Sequence, residues 1–118
     1  MAATALTVQA MPLFGQITAL TFTAVDNTNG NSIPGDGKTM VILRGTGAGG
    51  HVATMTSVAD ENGRTGDIVT AALAVDEVMI LYPSRPGVFK QKSGADKGLT
   101  VITFDGANIE AAAVQYQL

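Results

Sequence analysis

The chain has 118 residues, 46% of them hydrophobic, with no cysteine, one histidine and no tryptophan; that length and composition suit one globular domain with one core. The missing cysteines exclude disulfides, thiolate chemistry and cysteine-ligated zinc. A formal net charge of -3 sets the overall field against nucleic acid.

Residues 1–25 carry no charged side chain. A secretory leader needs a basic stretch ahead of its apolar run, and Thr4, Thr7, Gln9, Pro12, Gly15, Gln16, Thr18, Thr21 and Thr23 break the apolar continuity that a bilayer span requires. Residues 1–15 therefore read as an extended N-terminal arm and residues 16–118 as the domain. The arm's Leu6, Val8, Met11, Leu13 and Phe14 follow neither a helical nor a strand period. Apolar side chains at a terminus are tied down on their own domain or on a neighbour. A first strand of the domain's own sheet is the other placement.

Residues 17–25 are rich in Thr, Val, Ile and Phe, with Leu20, Phe22 and Ala24 on one face, as in a half-buried strand. Residues 26–37 (DNTNGNSIPGDG) are dense in turn chemistry and predict a long surface loop. Residues 38–45 (KTMVILRG) are apolar on both faces, which predicts a central strand. Three further β-prone runs follow at 51–58, 67–73 and 77–82, separated by turn residues. After Pro83 and Pro86, residues 88–91 predict a short strand, and no helix is expected. Residues 99–104 and 107–117, joined by Asp105-Gly106, predict a closing hairpin. The alanines at 111–113 favour helix, yet Ile109, Val114 and Tyr116 beside that turn favour a strand. Together these elements predict an all-β domain, a β-sandwich or jelly-roll-like barrel of seven to eight mostly antiparallel strands.

Three constellations invite a chemical reading. Residues 45–50 (GTGAGG) match a dinucleotide fingerprint, but the fingerprint works only where its glycine turn opens a helix. The following residues form strand, so a glycine-rich hairpin connection is expected instead. His51 has no serine in a nucleophile elbow and no local motif that ties a carboxylate to it, which predicts a hydrogen-bonded structural side chain. Asp60, Glu61 and Asp67 have oxygen ligands for a cation without the EF-hand spacing. No catalytic residue, cofactor or metal is expected. The basic strip at 85–97, with Arg85, Lys90, Lys92 and Lys97 against Asp96, has the sign to meet an acidic protein surface, although short charge clusters also serve as solvated faces.

The succession GDGKTMVILRGTGAGGHVATMTSV, GRTGDIV and EVMILYPSRPGVF, closed by a strand pair, resembles the small head-decoration (capsid cement) proteins of tailed bacteriophages. The resemblance covers residues 25–104; Gly45 departs from it, since the family pattern has a polar residue there. It implies a virion structural protein on the outer capsid surface, made in the host cytoplasm. The implied partners are the major capsid protein and copies of itself, a homotrimer ahead of a homodimer. The arm residues Leu6, Val8, Met11, Leu13 and Phe14, with Arg85, Lys90 and Lys92, are the candidate contacts. The alternative is a carbohydrate-binding or tail-fibre-associated sandwich, which the low aromatic content disfavours.

Overall fold

A computed structural model describes residues 2–11, 20–47, 50–58, 66–83 and 86–115. Ten strands are present among these residues: β1 (Thr4–Ala5), β2 (Val8–Ala10), β3 (Thr23–Ala24), β4 (Asn31–Pro34), β5 (Thr39–Gly45), β6 (Ala53–Met55), β7 (Ile68–Val69), β8 (Val78–Leu81), β9 (Leu99–Phe104) and β10 (Ile109–Gln115). A single helical turn, α1 (Pro86–Phe89), precedes β9. No helix among the described residues is long and apolar enough to cross a membrane. One sheet has the order β1-β4-β9-β6-β7; the other runs β2-β10-β5-β8, with β3 also on β10. The all-β expectation holds. The sheets are open rather than closed into a barrel, and two pairings, β1 with β4 and β2 with β10, are parallel.

The core lies between the sheets. Ile33, Ala53, Met55, Ile102 and Phe104 from one sheet meet Val41, Leu43, Leu81, Ile109, Ala111 and Ala113 from the other. Along β5, burial alternates residue by residue, with Thr39, Val41, Leu43 and Gly45 inward, as the two-residue period of a strand requires. The three alanines of β10 belong to a strand rather than a helix. The close antiparallel register from Ile109↔Gly45 to Gln115↔Thr39 satisfies their backbone, and small side chains suit a strand flanked on both edges.

Several expectations on connections are corrected. β9 and β10 lie in different sheets, so residues 105–108 form an arch across the sandwich and not a closing hairpin. The same holds for β5 and β6, and the glycines after β5 carry the chain from one sheet to the other. A turn signal marks a reversal of direction, but whether the two strands then share hydrogen bonds depends on partners remote in sequence. Residues 26–37 are not one loop: they contain β4, whose Asn31, Ser32 and Ile33 are all buried. Gly30, at φ 78°, ends a tight turn whose Gly30 N–H donates to the Asp26 carbonyl at 2.8 Å. The strand expected at 17–25 is reduced to β3, with residues 17–19 outside the described set. The strand expected at 88–91 is replaced by α1 and one isolated bridge, Lys90↔Thr100.

Residues 2–11 are woven into the body. β1 pairs with β4, and β2 pairs with β10 in the other sheet, so the chain changes sheets at Leu6 and Thr7. Leu6 is a core residue at 7% exposure, with Val8 packed against that core. This is the second of the two placements weighed above for this part of the arm.

Candidate functional site

The candidate contacts separate into two groups. Leu6 is buried, Val8 and Met11 are half-buried, and the Met11 N–H donates to the Gln115 carbonyl at 2.7 Å. These three are spent on the domain's own fold. Leu13, Phe14 and Arg85 lie outside the described residues, as do residues 60–65 of the acidic loop. Asp67, at the end of that loop, accepts the Ser57 backbone N–H at 2.8 Å and its hydroxyl at 2.7 Å, which lowers its pKa. Among the described residues no three acidic or histidine side chains form a metal-binding group.

Lys90 and Lys92 are exposed. They stand on a loop, residues 90–98, held to the body at several points. Gly98 N–H donates to the Gln91 carbonyl at 2.8 Å, Gly35 N–H donates to the Gly98 carbonyl at 3.2 Å, and Ala3 N–H donates to Asp96 at 3.1 Å. A Cβ on Gly35 would lie 2.7 Å from Cγ of Lys90, so the lysine stem runs over that glycine with its ammonium toward water. The turn before β5 is therefore beside this loop, and exposed Lys38 joins Lys90, Lys92 and Lys97 at one end of the sandwich. The carboxylates there are engaged. Burial acts to raise the pKa of Asp36, but hydrogen bonds from Lys38 N–H, the Gln115 amide and the Thr39 hydroxyl outweigh it and hold the pKa below the ordinary value.

At the opposite end the structure brings together two residues far apart in sequence. His51 Nδ1 lies 3.3 Å from Oδ1 of Asp105, and the same oxygen accepts the Val52 N–H at 2.9 Å. The imidazole rests on Gly106, where a Cβ would fall 2.3 Å from the ring. The pair clasps the arch between β9 and β10 to the start of β6. It is a structural clasp, and the sequence concealed it because 54 positions separate the partners.

A second surface escaped the sequence reading. β8 is the last strand of its sheet among the described residues, and Val78, Ile80 and Tyr82 are 53%, 60% and 41% exposed. Met79 and Leu81 point inward. An unbroken apolar run such as VMIL hides its own polarity, since the two-residue period appears only where apolar and polar residues alternate. A cavity of about 200 Å³ lies where β2 and β3 diverge along β10, lined by Leu6, Thr21, Thr23 and Ala111–Ala113 among others. Its mouth is bridged by the Gln9 amide, which donates to the Thr21 carbonyl at 2.8 Å and accepts Thr21 N–H at 3.0 Å. The amide imitates one rung of a β-ladder.

No protein-family model, curated protein or solved structure matches this chain.

Proposed function

We propose that this chain is a structural binding module that docks on the outer surface of a tailed-phage capsid as a decoration protein. The observation that carries the reading is the lysine-bearing end: Lys38, Lys90, Lys92 and Lys97 are exposed on tightly anchored turns, while Asp36 and Asp96 at that end accept hydrogen bonds from the body. A positive end on an acidic protein suits an acidic protein surface, and such fields steer association and fix orientation. The succession of strand and turn segments that resembles the head-decoration family supports the same reading.

The contact role moves from the arm to this end. With Leu6 in the core, deleting the N-terminal residues would remove β1 and β2 and unfold part of the body. The informative variant is Lys90→Glu combined with Lys92→Glu and Lys97→Glu, all at exposed positions. Saturable co-sedimentation with purified capsids of the encoding phage is expected for the native chain, with binding that weakens as salt rises. The reversed variant should bind about tenfold or more weakly with an unchanged circular dichroism spectrum. Equal binding by both proteins, or no saturable binding by the native chain, refutes the proposal.

A further inference from the structure

The unpartnered edge of β8 carries an inference that stands apart from the capsid reading. Gly45 N–H donates to the Glu77 carbonyl at 3.0 Å, and the register then runs Leu43↔Met79 and Val41↔Leu81. In an antiparallel ladder alternate residues turn their backbone groups to the same neighbour. Glu77, Met79 and Leu81 therefore bond β5, whereas Val78 and Ile80 direct N–H and C=O away from the sheet. The same two residues, with Tyr82, carry the exposed apolar side chains. Natural edge strands are blunted by charge, proline or a bulge pointing into the edge, and nothing of that kind interrupts Val78–Leu81.

The ends of β8 carry opposite charges. Exposed Asp76 and Glu77 precede it. At the other end the Tyr82 hydroxyl donates to the Gly37 carbonyl at 3.0 Å, which places Lys38 there. A second β8 laid antiparallel across a two-fold axis brings the acidic end of each copy to the lysine end of the other, twice by symmetry. A parallel arrangement would set like charges together. With Ile80 facing Ile80, Val78 faces Tyr82, and about six main-chain hydrogen bonds join the copies.

We infer that β8 is a self-association edge, at which two copies of this chain pair antiparallel into one continuous sheet. The arrangement is isologous and closes at two, in contrast to the three-fold assembly that the family resemblance implies. Its small apolar area makes it a reversible dimer, with a dissociation constant on the order of micromolar.

Analytical ultracentrifugation of the full chain tests this. The native protein should move from monomer to dimer with concentration, and Ile80→Lys, altered at an exposed site, should stay monomeric with unchanged circular dichroism. Lys38→Glu and Glu77→Lys should each raise the dissociation constant about fivefold or more. Mixed in equal amounts they should restore native affinity, because each heterodimer contact then joins opposite charges. A native monomer at all concentrations overturns the inference, as does a trimeric mass, a dimeric Ile80→Lys protein or a mixture that fails to recover. Capsid binding by a strictly monomeric native protein would overturn self-pairing and leave the capsid reading standing.

Discussion

Replacing Gly45 with alanine tests the account of how the two sheets are joined. Gly45 ends β5 at a bulge: its N–H donates to the Glu77 carbonyl at 3.0 Å, and its own carbonyl accepts the Asp76 N–H at 2.9 Å. Two residues of the incoming chain thus oppose one of β5, and Asp76 takes φ 64° to complete the turn. A Cβ on Gly45 would lie 2.1 Å from the Ala74 carbonyl oxygen and 2.9 Å from its carbon. Both are backbone atoms of a hydrogen-bonded turn, so no side-chain rotation relieves the clash. Overpacking of this kind costs about 1–3 kcal/mol, and losing the two bonds at Gly45 adds about 0.5–1.5 kcal/mol each. Gly45→Ala should therefore lose about 3–5 kcal/mol in urea denaturation. For a domain of this size that is a fall on the order of 15 °C in Tm, close to the whole stability of many small domains. Gly66→Ala is the control: nothing lies within 4 Å of a Cβ there, and the change should be neutral or stabilise by up to about 1 kcal/mol through the unfolded chain. A loss below about 1 kcal/mol for Gly45→Ala, or equal losses at both sites, would refute the close-approach argument.

Two further outcomes are expected. Asn31 is 2% exposed; its side chain accepts the Asp26 N–H at 2.9 Å and donates to the Thr4 carbonyl at 3.1 Å. Asn31→Ala should cost about 2–4 kcal/mol and speed amide exchange at Thr4 and Leu6, whose N–H groups bond Gly30 and Ser32; unchanged exchange would refute its role in holding β1. The carboxyl of Asp26, hydrogen-bonded first by the Thr4 hydroxyl and then by the Asn29 and Thr28 backbone, is lowered from 3.8 to about 2. A depressed folded pKa means that the unfolded chain binds more protons in this range. Its stabilisation is therefore present above about pH 4 and is lost as pH falls toward about 2. Asp26→Asn should flatten the loss of the urea midpoint across that window, and an unaltered slope would show that this carboxylate does not act.

By itself the sequence determined the class of the fold. Short β-branched and aliphatic runs between Gly, Asn and Asp turns can bury their apolar faces only as sheet, which is why β5 and β8 were legible and why the alanines of β10 read correctly as strand beside Ile109 and Val114. The lysines of residues 90–97 were visible as a strip because charge is written in composition. Tertiary structure alone decided pairing. Strands on either side of a tight turn, such as β9 and β10, face each other across the core rather than sharing hydrogen bonds, and no local pattern distinguishes an arch from a hairpin. It also decided the fate of Leu6, taken into the core by parallel partners more than 20 residues away, and the outward face of β8, since a wholly apolar strand has no internal mark of which side meets water. Backbone hydrogen bonds carry no residue identity, so the choice of neighbour rests on how all the apolar faces close around one interior.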